Sequence, residues 1–336
     1  GQTKKCPKCR RRVRAKFPER VTHPVQYGET VQTTAVSLNI RHAIPLERTA
    51  EILSDQMDQK ISPATVSRLI SDTAVKLLSF ETAVKETLIQ SPLIHVDETG
   101  IRSAGLTQWL HVVCTPFITW CGVHLRRGRK AMDDFQILTS YKGIAVHDGL
   151  ESYQGYDCRH VLCNAHHLRE LVALEEQGYA WAKEIRDFLV QINEIARASP
   201  ESITLARAQK LERTFKNLLD SASASLPEPV PREPHQRGRV KRGHAYNLLS
   251  RLDGRSDQVL AFMHDPSIPF TNNQAERDIR MVKVKMKNAG CFRTEQGASQ
   301  FARIYSYLST LKKNSIAQAA GLALLFKGKP FIPEIG

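Results

Sequence analysis

No stretch of this chain approaches the roughly eighteen consecutive apolar residues that a bilayer-spanning helix needs, and no charged-then-apolar leader opens it. The first absence excludes helical membrane anchoring, and the second argues against a secretory precursor. Cysteine is sparse and odd in number: seven residues lie unevenly along the chain, which argues against a disulfide framework and for a reducing cytosol. No internal repeat marks a solenoid or array. Acidic charge is also short, with 34 Asp and Glu against 48 Lys and Arg, giving a formal charge of +14 and a pI near 9.6. Such a balance favours a polyanionic partner, although many merely basic proteins share it. These features together read as a soluble cytoplasmic protein with no membrane association.

What is present is size. The chain has 336 residues, 41% of them apolar, enough for a sizeable core and for two or three domains. It opens on Gly1 and almost at once on Cys6-Pro7-Lys8-Cys9, which reads as a chain lacking an N-terminal portion. Residues 1–20 carry nine Lys or Arg against one Glu, either a solvated basic arm or part of a small metal-stapled module. Cys6 and Cys9 have zinc-ligand spacing, but a closed site needs four ligands; His23 is a candidate third. A helical stretch is expected from about Thr30. Another should run from Pro45 through Met57, with Leu46, Ala50 and Leu53 on one face, and a third from the Ser62-Pro63 start signal to about Gln90. The pair joined across Asp58–Ile61 is either a helix-turn-helix offering Thr65, Ser67 and Arg68 to DNA or two helices of an all-α spacer.

The texture changes at Pro92. Leu93–Val96, Trp109–Thr115, Thr119–Leu125, Gly143–His147 and Cys158–Cys163 read as five strands, with a helix over Lys130–Leu138. That order predicts a mixed α/β sheet flanked by helices. A helical region is expected over about 165–222. Pro227, Pro229, Pro231 and Pro234 then lead into Arg237, Arg239, Lys241 and Arg242 as a linker or basic loop, and helices resume from His244 to Leu325, interrupted at Asp265–Thr271. The expected organisation is a basic segment at 1–25, a helical region at 26–91, and an α/β domain at 92–336 with a helical insertion at about 165–243. Trp109, Trp120 and Trp181 read as core residues rather than base-stacking platforms.

Two aspartates invite pairing. Asp97 closes the first apolar strand in His95-Val96-Asp97-Glu98, and Asp148 closes the fourth in Val146-His147-Asp148-Gly149. Residues just past the carboxyl ends of strands commonly hold ligands, and converging carboxylates suit Mg²⁺ or Mn²⁺. Taken alone, each is more readily a strand-end turn residue or helix cap, and only the pair makes the two readings even. Glu98 should point to the opposite face. Glu276 lies on a helix that starts with a capping box at Thr271-Asn272-Asn273-Gln274 and has Ile279, Val282 and Met286 as its apolar stripe. Arg280, Lys283 and Lys287 share the stripe of Glu276, placing cations where a DNA backbone would run. On the residues alone, a cap formed by Asn273 and Glu276, or an ordinary Glu276–Arg280 pair, explains Glu276 better than a metal-ligand role. Arg126, Arg127, Arg129 and Lys130 are either a solvated turn or a phosphate clamp. Cys163-Asn164-Ala165-His166 has metal-like spacing, against a plain reading of a buried strand-end Cys and a helix-start His.

Several blocks in order resemble transposases of the insertion sequence 66 family: His95–Gly100, Trp109–Val112, His147-Asp148-Gly149, Leu162–Glu170 and Pro269–Asp278, with similarity resuming at Gly290–Thr294 and Tyr307–Thr310. The resemblance covers nearly the whole chain. It implies an RNase H-like core with a DDE triad on Asp97, Asp148 and Glu276, two Mg²⁺ or Mn²⁺ ions, and DNA cleavage and strand transfer. It also implies a helical insertion within the 128 positions from Asp148 to Glu276, and a structural role for Cys163 and His166. Cys6 and Cys9 resemble only the second cysteine pair of the family's zinc module, leaving Zn²⁺ binding by this chain doubtful. Expected partners are transposon-end and target DNA, further copies of the chain assembled on DNA, and accessory transposition proteins. The rival readings are a catalytically silent DNA-binding relative and an RNase H-like nuclease acting on other nucleic acids.

Overall fold

The computed structural model describes residues 3–15, 26–227 and 243–333. Strands β1 (Thr3–Lys5) and β2 (Arg12–Arg14) form an exposed antiparallel hairpin whose turn carries Cys6 and Cys9. Cys6 N–H donates to Arg11 O at 2.8 Å, and Arg10 adopts φ 59° to close the turn. His23 and the run Arg237–Arg242 lie outside the described residues.

Helices α1 (Glu29–Val36), α2 (Leu46–Met57), α3 (Pro63–Lys76) and α4 (Leu78–Gln90) follow, α1 running on into a π turn over Ser37–Arg41. Ser62 caps α3 as its position predicts, accepting from Thr65 N–H at 3.1 Å. Between α2 and α3, Asp58 takes a left-handed conformation (φ 46°) while Ser54 Oγ accepts from Ile61 N–H at 2.9 Å. Ser67 and Arg68 are exposed on α3. The single helix expected to reach Gln90 is broken at Leu77 (φ −95°, ψ 7°). No Gly or Pro announces that break. Packing accounts for it, since the bend lets both Leu77 and Phe80 be fully buried.

All five expected strands are present, as β3 (Leu93–Ser103), β4 (Leu106–Cys114), β5 (Thr119–His124), β6 (Ile144–His147) and β7 (Arg159–Leu162), with α5 (Arg129–Phe135) between β5 and β6. Their order is β5-β4-β3-β6-β7. The first three pair antiparallel, and β3, β6 and β7 pair parallel. β3 runs seven residues beyond its expected end at Val96, because Ala104 and Gly105, both at positive φ, make a two-residue hairpin turn into β4. Asp97 is therefore within a strand rather than at its end. It does stand where pairing on the β6 side stops, since that ladder ends at His95↔Val146.

Helices α6 (Asn164–Glu176), α7 (Ala180–Ala198), α8 (Leu205–Ala224), α9 (His244–Gly254) and α10 (Ser256–Val259) build a helical layer against β6 and β7. α11 (Asn273–Ala289), α12 (Glu295–Lys313) and α13 (Gln318–Phe326) return to the other face, where they share a core with α1–α4. The sheet separates these two apolar clusters. Consecutive residues show it: Ala145 enters the cluster of Leu110, Trp120 and Phe301, whereas Val146 enters that of Leu171, Phe215 and Leu248. Trp120 is a core residue, lying so close over Gly122 that a Cβ there would meet its ring at 2.3 Å. Beyond α11, Phe292 N–H donates to Arg102 O and Ala104 N–H to Phe292 O, each at 2.9 Å, so the helix's exit is stitched to the far end of β3. Among the described residues no helix is long and apolar enough to cross a membrane.

Candidate metal centre

The carboxyl ends of three parallel strands set the site. Carried two residues past its last pair, the β3–β6 register puts Asp97 beside Asp148; carried one past its last pair, the β6–β7 register puts Cys163 beside Asp148. Asp97, Asp148 and Cys163 thus form a row along one sheet edge. The turn after Asp148 is fixed by its own side chain, whose Oδ1 accepts from Leu150 N–H at 3.2 Å, and by His147, whose Nδ1 accepts from Gly149 N–H at 3.0 Å. His147 is fully buried, and that burial lowers its pKa to about 3, so it stays neutral.

Carboxylate oxygens of Asp97, Glu98 and Asp148 lie within 4.8 Å of one another. Strand alternation sends Glu98 to the face opposite Asp97, yet its carboxylate comes within this group. Two partners hold it: Arg127 Nε donates to Oε1 at 2.9 Å and the Tyr153 hydroxyl donates to Oε2 at 2.6 Å. Burial still raises the Glu98 pKa against those two bonds. Asp97 is less well compensated. Among the described residues its Oδ1 accepts only from Glu98 N–H, at 2.8 Å, and its pKa is raised to about 7 by burial first, then by the charges of Glu98, Asp148 and Glu276. Crowded carboxylates that resist ionisation together are what a bound divalent cation relieves, so this hard-oxygen set fits Mg²⁺ or Mn²⁺.

Glu276 is near enough to act on Asp97, but its closest company is different. Its oxygen groups with Cys163 Sγ and a His166 ring nitrogen, again all within 4.8 Å. Arg169 donates to Glu276 Oε1 at 3.0 Å, and His166 Nε2 stands 3.9 Å from the same oxygen. Neither ordinary account of Glu276 is seen. It makes no pair with Arg280 among the described contacts, and no side chain caps α11. The capping box expected at Thr271–Gln274 is absent because Asn272 is spent elsewhere. Its Nδ2 donates to Val96 O at 2.9 Å, its Oδ1 meets His95 Nδ1 at 2.9 Å, and its N–H donates to Cys163 Sγ at 3.0 Å. Asn164 N–H donates to Phe270 O at 3.1 Å, so the start of α11 is fastened to β3 and to the start of α6.

The four cations after β5 divide. Arg127 serves Glu98 and lies over the Trp109 ring, 4.8 Å from its centroid. Lys130 pairs with Asp134 at 3.2 Å, Arg129 approaches Asp133 at 3.9 Å, and Arg126 is exposed. Arg280, Lys283 and Lys287 are all exposed on α11. Cys163 is buried and His166 stands in the first turn of α6. Cys6 is half-buried and Cys9 exposed, and no third ligand joins them among the described residues. Residues that spacing alone overlooked include Tyr153, Arg169, and the buried Asp278, which is bonded to Lys313 at 2.5 Å and Thr119 at 2.9 Å.

A family model described as Transposase IS66 family matches residues 24–300, most of the chain and every carboxylate named above. The chain belongs to the IS66 transposase family. No curated protein sequence matches it. The match leaves out the Cys6–Cys9 hairpin and ends within α12, so membership rests on α1–α4, the five-stranded sheet, the helices after β7 and α11. DNA is the substrate that membership implies, and an enzyme acting on DNA is the corresponding role.

Proposed function

We propose that this IS66 family member is a DNA transposase with an RNase H-like core, using Asp97, Asp148 and Glu276 to hold two divalent cations for cleavage and strand transfer. The observation that carries the reading is the crowding of Asp97, whose carboxylate lies within 4.8 Å of those of Glu98 and Asp148 and whose pKa is raised to about 7 by burial first and then by the charges of Glu98, Asp148 and Glu276. Glu98, with both oxygens already taken by Arg127 and Tyr153, acts as the anchor for Arg127 rather than as a ligand. Asp97 and Asp148 would offer carboxylate oxygens to the cations, and Glu276, held here by Arg169, would be the third residue to hold them. When bound, the ions lower the pKa of an attacking water or 3′-hydroxyl and balance charge on the leaving oxygen. Phosphorus exchanges one oxygen for another in line, and no covalent protein intermediate is required.

The chain's own residues do the rest. Asn272 fixes the first turn of α11 against β3, so Glu276 is presented to the same edge as Asp97. Arg280, Lys283 and Lys287 receive successive backbone phosphates, and Arg126, Arg129 and Lys130 after β5 offer further phosphate contacts. α2 and α3 offer Ser67 and Arg68 to DNA, and the complex assembles as a homo-oligomer on transposon ends.

Asp97→Ala, Asp148→Ala and Glu276→Ala are each expected to lower Mg²⁺- or Mn²⁺-dependent cleavage of transposon-end DNA by roughly 10²–10³-fold or more, the scale set by losing one preorganised charge-stabilising group. Gel-shift affinity for the same DNA should change little. Full cleavage by any of the three would overturn the assignment; wild-type binding without nicking at any metal concentration would point to a silent DNA-binding relative.

A further inference from the structure

Beside the all-oxygen trio stands a chemically different one. Cys163 precedes α6, His166 lies in that helix's first turn, and Glu276 lies in the first turn of α11. The bonds from Asn272 to Cys163 Sγ and from Asn164 to Phe270 O hold the two helix starts together, so these donors converge through the fold and not through flexible side chains alone. Sulfur, imidazole and carboxylate is a donor set that selects zinc-class cations over Mg²⁺.

The distances suit a tetrahedral ion. Bonds of about 2.0–2.3 Å imply donor–donor edges of roughly 3.4–3.7 Å. His166 Nε2 and Glu276 Oε1 are 3.9 Å apart, and no pair among the three exceeds 4.8 Å, so closing on an ion takes about an ångström at most. A second observation points the same way. His166 Nε2, the ring nitrogen that faces Glu276 Oε1, stops short of bonding distance at 3.9 Å and makes no hydrogen bond among the described residues, so its lone pair is open to a cation. Burial favours the neutral Cys163 thiol, but its sulfur accepts from Asn272 N–H at 3.0 Å, a donor that would stabilise the thiolate once a cation has displaced the proton.

We propose that Cys163, His166 and Glu276 bind one zinc-class divalent cation, and that loading this site takes Glu276 away from Asp97 and Asp148. Binding releases the Cys163 proton to solvent and displaces Arg169, whose exposed guanidinium now holds the Glu276 carboxylate. The first half stands on the geometry alone. The second rests on the catalytic reading above, and it makes zinc an inhibitor of the magnesium-dependent reaction.

The test uses the full chain carrying Cys6→Ser and Cys9→Ser, so that no other cysteine pair competes, titrated with Co²⁺. The expected result is a sulfur-to-cobalt charge-transfer band saturating at one equivalent and resistant to excess Mg²⁺. It should be lost in Cys163→Ser and need at least tenfold more Co²⁺ in His166→Ala and in Glu276→Gln. No band, or an undiminished band in Cys163→Ser, overturns the site; thermal melts identify a variant that has failed to fold, in which case His166→Ala decides. In the second arm, Zn²⁺ is added to Mg²⁺-supported cleavage of end DNA. At least a tenfold loss is expected, with a smaller ratio of zinc-free to zinc-treated rate in His166→Ala. A cobalt band without zinc inhibition overturns the coupling and leaves the site. Absence of cleavage before zinc is added counts against the catalytic reading, while the cobalt arm still judges the site.

Discussion

The two trios along this sheet edge are built from similar numbers of donors and solve the problem of negative charge in different ways. Asp97, Glu98 and Asp148 come from strands and the turn after one; Cys163, His166 and Glu276 come from the first turns of helices or the residue before one. In the strand-borne group one carboxylate, Glu98, is fully occupied by protein partners, and the burden falls on Asp97. In the helix-borne group the charge of Glu276 is met by Arg169 from outside and favoured by the positive end of α11. The contrast teaches that burial next to other carboxylates makes a group dependent on a cation, whereas exposure next to a guanidinium makes it transferable between partners.

The hinge of that contrast is Asn272, and removing it should produce the largest structural effect. Asn272→Ala strips hydrogen bonds from His95 and Val96 O within the core, with an expected loss of about 2–3 kcal/mol of unfolding free energy, measured by urea denaturation. Because both trios share this fastening, cobalt affinity and Mg²⁺-dependent cleavage should fall together; an effect on one alone would separate the two sites.

Asp97→Asn should sharpen the comparison in the opposite direction. A carboxyl whose folded pKa is raised to about 7 from 3.8 binds more protons in the folded than in the unfolded chain between those values. Metal-free wild type therefore loses stability as pH rises from about 4 to 7, and the penalty is complete above that. The amide does not titrate, so metal-free Asp97→Asn should melt higher than wild type at pH 8, by a margin that shrinks as the pH falls toward 4. Mg²⁺ should raise the wild-type melting temperature at pH 8 and that of the variant much less. Equal pH profiles for the two metal-free proteins would show that Asp97 is not the strained member of its group.

The smallest effect is expected on the outer face of α11. Lys283→Ala should weaken DNA binding about uniformly across sequences and reduce the slope of log affinity against log salt by about 1, as loss of one phosphate contact does. An unchanged slope would place the DNA away from the helix that carries Glu276.

Much of this arrangement was legible beforehand, and the exceptions have common causes. The five strands, the helices that follow β7 and the Ser62 cap announce themselves through β-branched runs, helical periodicity and start signals. Asp97 and Asp148 could be paired because each closes an apolar run. The extension of β3 to Ser103 could not, since Glu98-Thr99-Gly100 breaks the apolar run and only pairing with β4 keeps it a strand. The break at Leu77 was hidden for a similar reason, having no local signal and a purely tertiary cause. Asn272 reads locally as a cap. Its actual bonds reach back more than 170 residues in sequence, to His95 and Val96, beyond what any window can show. Glu98 was set aside on strand alternation, which fixes the direction of a Cβ and not where a long carboxylate finds Arg127 and Tyr153.

The stitching of Phe292 to the end of β3 has one more consequence. Together with Asn272 it moors α11 at both ends to a single strand, the strand that bears Asp97. A helix so tethered cannot slide or swing relative to Asp97 without breaking a hydrogen bond at one end or the other. Glu276 must then change partners by turning about its own side-chain bonds, and the span it covers is limited to the length of a glutamate. Switching between Arg169, the Cys163–His166 pair and Asp97 becomes a matter of rotamers, with the timing of side chains and not of domains.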